Sequence, residues 1–487
     1  MARIRQAKKF ARGVFAHVDV GDVRRSRAVV EVVAGLARRP AGRISAALPK
    51  GSQRERAYRL VENRAVTPLA LLVAAAAWCA RRIARLTFAY VVVDGTSLTL
   101  ADHFGTKGFG RVGTNCRGSR GLKVINALAL DDKGTPIGIA WQEYWCRAVR
   151  KRRKPKRQDN LSRDTCEKET QRWIDTIRAV VERLRGKTLL WFLVDREGDS
   201  RPLLEELGRT GQRFTVRTTY NRTLAVGVNG KKRHLYDVVK KGAPRGTYKV
   251  RVPKTDTRAA RLAHMEVRAK SVRLLLRDRL HNTKTFLDVN VVWATEVGTT
   301  PRGAKPLDWM LYTNAPITTE KAVMAVLQSY KMRWRIEDFH KSWKTGHCNV
   351  EDMQLHSIRA AQTLAIMQAA IAARIERLKH LARTVPDTPA SVEFTRDERL
   401  AISILAHDYA NVPLVPGGRR QHKLVAPDPD TMTIGEALWW IARLGGYSGR
   451  STGARAGAIT IGRGLDDVVS LAGAIPFARK ALRSDQW

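Results

Sequence analysis

The chain has 487 residues, and 88 Lys and Arg side chains against 45 Asp and Glu give it a formal net charge of +43. This length allows roughly two to four domains with a sizeable core. So large a positive excess favours a polyanionic partner. Nucleic acid is the leading candidate, because each phosphate neutralised by Lys or Arg releases condensed counterion. A basic surface that is only solvated is the alternative.

Membrane and secretory classes are not favoured. The longest apolar run, Leu69 to Ala80, is too short to cross a bilayer and is expected to be a buried helix. The N-terminal residues lack the apolar stretch of a secretory signal. The five cysteines are odd in number and scattered, without a Cys-x-x-Cys pair, which argues against a disulfide framework and a zinc site. We therefore expect a cytoplasmic protein that makes no membrane contact.

The segment up to residue 68 predicts a small helical domain. Asp22 can cap a helix that ends before Pro40, and a second helix follows. Arginines line both helices, which is typical of a module that binds a DNA end, although a solvated basic face has the same composition. The candidate DNA-contacting residues of this domain are Arg24, Arg25, Arg27, Arg38, Arg43 and Arg59.

Two apolar runs, each followed by an aspartate, predict buried strands of a sheet. Residues 90–93 lead to Asp94, and residues 189–194 lead to Asp195. Unbroken apolar runs of this length are typical of central strands that are covered on both faces. We expect both carboxylates at the ends of rigid central strands. Each aspartate taken alone is equally well explained as a structural cap of its strand end.

Other segments extend this sheet. Residues 121–130 and 135–145 predict two strands joined by a hairpin turn. The glycines at 108–113 match a dinucleotide-binding spacing, but a strand follows where a phosphate-binding helix should begin. We reject a nucleotide site there and interpret these residues as a mobile basic loop near Asp94.

Residues 147–157 contain eight basic side chains in eleven positions and cannot form a packed core. We expect a disordered loop that touches the DNA backbone. A targeting signal or a plain solvated loop is the alternative.

Later segments predict an insertion and a helical C-terminal part. Short β-type runs between about residues 220 and 305 indicate an inserted β region, and the core resumes at 308–313. Beyond residue 351 the pattern is mostly helical, and the last helix is expected from Asp466 to Ala481.

The stretch from Tyr330 to Lys344 predicts one amphipathic helix with an apolar packing face and a polar face opposite. A carboxylate suits a hard divalent cation, and Lys and Arg suit phosphate oxygens, so the polar face indicates phosphoryl transfer on nucleic acid. One carboxylate cannot hold two metal ions, so further acids must come from elsewhere. The apolar face is Met332, Ile336, Phe339 and Trp343; the polar face is Tyr330, Arg333, Glu337, Lys341 and Lys344.

The order of these elements predicts an α/β fold with a ribonuclease-H-like catalytic core. Acids lie on the first strand, after the fourth strand and on a later helix. If the first and fourth strands are neighbours, Asp94 and Asp195 lie side by side, and Glu337 can complete a two-metal site. We expect a helical DNA-end-binding domain at 1–68, the catalytic domain at 69–362 with its β insertion at about 220–305, and a helical C-terminal domain at 363–487, to which the candidate dimer contact described below belongs.

A known family shares several of these motifs. They are Tyr330, Arg333, Glu337 and Lys344 at this spacing, Asp94-Gly95-Thr96-Ser97, Asp195-Arg196-Glu197, Gly21-Asp22-Val23-Arg24-Arg25 and Ile441-Ala442-Arg443-Leu444-Gly445-Gly446. In this combination the chain resembles, over nearly its whole length, the cut-and-paste DNA transposases of the fourth insertion-sequence family, most closely the transposon-five type.

This resemblance implies a DDE transposase with Asp94, Asp195 and Glu337 as its metal-binding catalytic triad, Mg²⁺ as cofactor and Mn²⁺ as a substitute. Water would nick the transposon end, the freed 3′-hydroxyl would form a hairpin with the opposite strand, and the opened end would insert into target DNA. The implied partners are double-stranded DNA, as terminal repeats and target, and a second copy of the chain in the DNA complex. The implied location is the bacterial nucleoid.

The resemblance also implies individual DNA contacts. Tyr330, Arg333 and Lys344 would hold phosphates at the reacting end, and Arg217 would contact the DNA end. Trp309 would stack on a flipped-out base, as the stacking capacity of an aromatic face allows. A tryptophan of the protein core is the alternative for Trp309.

The expected last helix carries a candidate dimer contact. It places Val468, Val469, Leu471, Ala472 and Ile475 at helical spacing. These residues suit a self-contact face, and they suit equally a face that covers the protein's own core.

Two functions from other classes remain as alternatives. One is a catalytically inactive, sequence-specific DNA-binding regulator, against which the intact triad argues. The other is a ribonuclease-H-like nuclease, which would not need the end-binding and C-terminal regions.

Overall fold

A computed structural model describes residues 5–102, 104–113, 119–147, 169–225, 232–252, 259–278, 281–301, 304–411, 425–448 and 456–484. The basic loop predicted at 147–157 lies outside these ranges, apart from Arg147. None of the helices in these ranges combines the length and the apolar character that a membrane span needs.

The N-terminal part of the chain is helical, as predicted. Asp22 caps the second helix by accepting a hydrogen bond from the backbone N–H of Arg24, 2.6 Å away. The apolar run at 69–80 lies in a helix that begins after Thr67 and packs against the sheet. The helices are α1 (Arg5–Phe15), α2 (Val23–Arg38), α3 (Ile44–Ala47), α4 (Gly51–Glu62) and α5 (Pro68–Ile83).

One mixed sheet of ten strands forms the centre of the described structure. Its strands are β1 (Phe88–Thr99), β2 (Gly110–Arg111), β3 (Arg120–Leu130), β4 (Pro136–Trp145), β5 (Leu189–Val194), β6 (Arg213–Arg217), β7 (Pro244–Val252), β8 (Arg261–Asp278), β9 (Thr283–Val297) and β10 (Asp308–Thr313). They lie in the order β2-β3-β1-β5-β6-β10-β9-β8-β7, and β4 also pairs with β3. This sheet with helices packed on it is the α/β architecture that the sequence predicts.

Local turn chemistry explains the meander of β1, β3 and β4. Gly134 has a φ of +80°, in the left-handed region that glycine favours, and its N–H donates to Asp131 O at 3.0 Å. The interpretation of residues 108–113 as a mobile loop is wrong in part, because Gly110 and Arg111 pair with β3 as the strand β2.

The predicted β insertion extends the same sheet. β7, β8 and β9 pair antiparallel in sequence, β9 pairs with β10, and β10 pairs with β6 of the core. Three helices accompany the central strands and the insertion: α6 (Glu169–Arg183), α7 (Arg201–Arg209) and α8 (Leu235–Lys240).

The single helix predicted from Tyr330 to Lys344 is wrong. The chain forms α9 (Glu320–Lys331) and α10 (Trp334–Lys344), separated by a tightened turn. The N–H groups of Met332 and Arg333 donate to carbonyls three residues back, as in a 3₁₀ turn. Neither Pro nor Gly marks this turn, so the apolar periodicity passes through it unbroken. Ile336, Phe339 and Trp343 are nevertheless buried as predicted.

The C-terminal part is helical and has its own core. One apolar cluster extends from the N-terminal helices through the sheet to Ile375, and a second begins at Leu378. Both include residues of the same long helix, within which the boundary predicted at 362/363 falls. The helices are α11 (Ile358–Thr384), α12 (Arg396–Asn411), α13 (Ile434–Leu444), α14 (Ala458–Ala472) and α15 (Ile475–Ser484).

The last helix predicted from Asp466 to Ala481 is also divided, between Ala472 and Ile475. The self-contact face predicted on it is wrong, because its residues pack into the chain's own core. Val468, Val469, Ala472 and Ile475 are buried, and Leu471 packs against the C-terminal cluster.

Candidate active site

Two carboxylates lie at adjacent strand positions. β1 and β5 are parallel neighbours, which is the condition for Asp94 and Asp195 to lie side by side, and their last pair is Val93 with Val194. The next residues are Asp94 and Asp195. The valines on both strands are fully buried, so the backbone that carries the two acids is fixed by the core.

Backbone N–H groups orient both carboxylates. Asp94 accepts a hydrogen bond from the N–H of Gly95 at 2.8 Å. Asp195 accepts one from the N–H of Glu197 at 2.8 Å and so caps a short 3₁₀ helix after β5. These bonds fix the two side chains at the point where the paired strands separate.

The environment of Asp94 disfavours its negative charge. Burial, followed by the Asp195 carboxylate, raises the pKa of Asp94 to about 7, although Arg333 and the Gly95 N–H act in the opposite direction. Two close carboxylates in a partly buried site repel each other. A cation between them would relieve this repulsion.

Arg333 joins the third predicted acid to the first. Its Nη1 lies 3.6 Å from Asp94 Oδ2, and its Nη2 donates a hydrogen bond to Glu337 Oε1. The Arg333 side chain is only 10% exposed. The turn between α9 and α10 places this guanidinium between the two carboxylates.

These residues fit a divalent cation by their donor chemistry. Carboxylate oxygens are the ligands that hard cations prefer, and the guanidinium shows that positive charge is favoured here. Among the described residues, no three acidic, His or Cys side chains are close enough to hold a metal ion as they stand. Arg333 lies between Asp94 and Glu337, with one terminal nitrogen directed at each carboxylate.

Two protein-family models match the chain. Transposase DNA-binding matches residues 7–66, and Transposase DDE domain matches residues 145–374. The chain is a DNA transposase. Enzymes with a DDE domain are polynucleotidyl transferases that use divalent metal ions. The DDE match includes Asp195 and Glu337 and begins after Asp94.

Two more predicted residues adjoin Arg333 in the transposase. The Arg333 guanidinium lies 5.9 Å from the Tyr330 ring centroid, and Arg217, whose pKa is influenced by both Tyr330 and Arg333, donates to Asp308 O at 3.0 Å. Burial raises the pKa of Tyr330 and lowers that of Arg217. Tyr330 and the two guanidinium groups therefore influence one another electrostatically, and Arg333 is the member of this group that reaches Asp94.

The predicted lysines occupy different settings. Lys341 is exposed on α10, whereas Lys344 is half-buried with its Nζ 3.4 Å from Thr96 Oγ1 and 3.5 Å from Glu351 Oε1. Lys344 therefore lies against the continuation of β1 beyond Asp94.

Two tryptophans lie near this group. Trp309 is half-buried on β10, where it pairs with Ala294. This partial burial is compatible both with stacking on a base and with a place in the protein core. Trp334 is 58% exposed at the start of α10, and the Arg333 guanidinium lies 5.4 Å from its ring centroid. Trp334 is not among the residues predicted from the sequence. The sequence feature that could have identified it is an aromatic residue next to Arg333, which belongs to the predicted polar face.

The six N-terminal arginines do not form one patch. Arg24, Arg25 and Arg59 line a groove of about 610 Å³ between α2 and α4. Arg43 lies elsewhere and pairs with Asp352 at 2.9 Å. The groove also contains Arg56, which is not among the predicted contacts because helical periodicity does not show which faces of two helices meet. Arg27 is exposed and Arg38 is half-buried, both outside the residues that line the groove.

Proposed function

We propose that this transposase is a cut-and-paste enzyme of the fourth insertion-sequence family, transposon-five type. It nicks the transposon end, forms a hairpin and transfers the end into target DNA. The observation that supports this most is the arrangement of Asp94 and Asp195 on adjacent strands, with Glu337 linked to Asp94 through Arg333.

In this proposal Asp94, Asp195 and Glu337 hold Mg²⁺, for which Mn²⁺ can substitute. Bound metal supplies activation of the attacking water or 3′-hydroxyl and charge stabilisation at the leaving oxygen. Arg333 exchanges its carboxylate partners for a DNA phosphate, which opens the acids to the cation. Tyr330 orients Arg333 and Arg217 toward the same phosphates.

DNA reaches this site along a basic surface. The transposon end lies in the groove between α2 and α4, and the reacting strand crosses α10 beside Lys341 and Lys344. Trp309 stacks on an extruded base in this proposal. The N-terminal contacts are Arg24, Arg25, Arg27, Arg38, Arg43 and Arg59.

Transposition joins two ends at once, so the DNA complex is proposed to contain two copies of the chain. The proposed domains are 1–68 for end binding, 69–362 for catalysis and 363–487 for dimerisation. The dimer contact lies outside the face of Val468 and Ile475, because these side chains are buried within one chain.

The test is cleavage of a labelled element end at matched DNA occupancy. Asp94→Asn, Asp195→Asn and Glu337→Gln keep side-chain size, so end binding is expected to persist while nicking, hairpin formation and strand transfer are lost together. Asp338→Asn, the neighbouring acid on α10, is the matched control and is expected to cleave normally. Full cleavage by Glu337→Gln would contradict the proposal.

Two further outcomes would identify the alternatives. Tight end binding by the parent protein with no cleavage in Mg²⁺ or Mn²⁺ would indicate a regulator. Cleavage that is indifferent to the element end and never proceeds to strand transfer would indicate a nuclease.

A further inference from the structure

A row of polar side chains crosses the buried face of the sheet and ends at Asp94. Asp94 on β1 pairs with Asn126 on β3, and Asn126 pairs with Gln142 on β4. Directly paired residues project from the same face of a sheet, so the three side chains share one face. Asn126 is fully buried and Gln142 is 1% exposed, among valines, leucines and alanines of the same strands.

Hydrogen bonds along this row fix the orientation of each amide. The Tyr144 hydroxyl donates to Gln142 Oε1 at 3.1 Å, and Gln142 Nε2 donates to Asn126 Oδ1 at 2.6 Å. The remaining Asn126 Nδ2 lies 3.0 Å from His340 Nε2. Because Nδ2 can only donate, His340 Nε2 is the acceptor and its ring proton is on Nδ1.

The environment keeps His340 in that neutral form. Burial, followed by the charges of Lys344 and Arg333, lowers the pKa of His340 to about 3. A buried amide group without a hydrogen-bond partner destabilises the folded state. A row in which each amide has its hydrogen-bond partner therefore resists rearrangement.

His340 is the link between this row and the third acid. It lies three residues after Glu337 on α10, so the two side chains are neighbours on the helix surface. Other bonds hold α10 on the side of α11: Trp343 Nε1 donates to Ala365 O at 3.0 Å, and Ser342 donates to Glu376. The bond to Asn126 holds α10 against the sheet that carries Asp94.

We infer that Asn126 and His340 are positioning residues that hold Glu337 at the distance from Asp94 that a shared divalent cation requires. The inference rests on the proposed metal-binding role of Asp94, Asp195 and Glu337. Neither positioning residue touches metal or DNA; they act through the position of α10. Loss of the hydrogen bond between Asn126 and His340 weakens the binding of Mg²⁺ more than the binding of Mn²⁺, because Mg²⁺ demands near-ideal octahedral geometry.

The experiment measures Mg²⁺ and Mn²⁺ affinity of the full-length chain by calorimetry, alongside thermal unfolding. His340→Leu removes the acceptor at similar bulk, Asn126→Ala removes the partner, and His340→Gln keeps an acceptor on the helix. Ser342→Ala is the matched control, since it removes a buried hydrogen bond from the same helix on the side of α11. Selective ¹⁵N labelling of histidine reports the His340 tautomer.

His340→Leu and Asn126→Ala are expected to weaken Mg²⁺ binding about tenfold or more and Mn²⁺ binding less, a size typical for residues that orient metal ligands. His340→Gln is expected to remain near the parent, and Ser342→Ala to lose stability without a change in metal affinity. The parent His340 is expected to stay neutral with its proton on Nδ1 from pH 5 to 8.

Equal loss of stability in His340→Leu and Ser342→Ala, with metal affinities unchanged in both, would overturn the inference. So would a His340 signal of the other tautomer. Failure of the proposed function looks different: Asp195→Asn and Glu337→Gln would then bind Mn²⁺ as well as the parent does.

Discussion

Arg333 Nη1 lies 3.6 Å from Asp94 Oδ2 inside the group of acids that the proposal assigns to metal binding. The guanidinium therefore supplies the positive charge that a metal ion would otherwise provide. The same guanidinium donates a hydrogen bond to Glu337, so its positive charge also serves the acid on α10. Cation binding and release of Arg333 are expected to be linked.

The first prediction follows from this contact. Arg333→Gln is expected to raise the Mn²⁺ affinity of the DNA-free protein on the order of tenfold, equal to about 1.4 kcal/mol, because a competing charge is removed. Calorimetric titration of the free protein measures this. Arg335→Gln, in the first turn of α10, is the control and is expected to leave the affinity unchanged. Weaker Mn²⁺ binding by Arg333→Gln would show that the guanidinium supports the metal site instead.

The second prediction concerns Asp199, which is fully buried. It accepts hydrogen bonds from Arg222 Nε at 2.9 Å and from the N–H groups of Thr219 and Tyr220 at 2.6 and 3.0 Å. Asp199→Ala leaves Arg222 without its carboxylate and is expected to cost about 3–5 kcal/mol of unfolding free energy. Denaturant unfolding measures this loss.

The exposed pair of Arg273 and Asp288 is the control for Asp199. Solvent screens that pair, so Asp288→Ala is expected to leave unfolding unchanged. A similar, small effect of both substitutions would contradict the role given to burial.

The third prediction is a pH dependence that arises at the contact between α14 and α2. Burial, followed by the charge of Asp467, raises the pKa of Asp466 to about 8, while Arg39 opposes the shift. The folded state thus holds this proton more tightly than the unfolded chain does. The stability it contributes is lost as pH rises from about 4 through 8.

Asp466→Asn removes this titration. The variant is expected to melt above the parent at pH 8.5 and close to it at pH 5, as thermal unfolding at the two values measures. Asp428→Asn, at another site, is the control. A difference between variant and parent that does not change with pH would count against the burial of a protonated Asp466.

The fourth prediction concerns the groove between α2 and α4. Arg24→Ala and Arg56→Ala are each expected to weaken binding of the element end. Each is also expected to reduce the slope of log K against log salt concentration by about 0.9 for every DNA phosphate that the variant no longer neutralises. Binding titrations from low to high salt measure both quantities.

Arg479→Ala, whose partner is Asp397 on α12, is the basic control. An unchanged slope in both groove variants would place the DNA elsewhere.

Features that depend on short stretches of the chain could be predicted from the sequence. Apolar runs placed Asp94 and Asp195 after buried strands, Asp22 was identifiable as a helix cap, and Gly134 marked a hairpin turn. Each of these features depends on a few consecutive residues, so local spacing is sufficient to predict it.

Long-range packing decided the rest. The pairing of β1 with β5 brings two acids that are far apart in sequence to neighbouring positions, and Arg333 reaches Asp94 because the chain turns between α9 and α10. The apolar face at Val468 shows the same limit, since helical spacing reveals that a face is buried but not which surface covers it. Which surfaces meet depends on the free energy of burying them together across the whole chain, and only the tertiary structure contains that information.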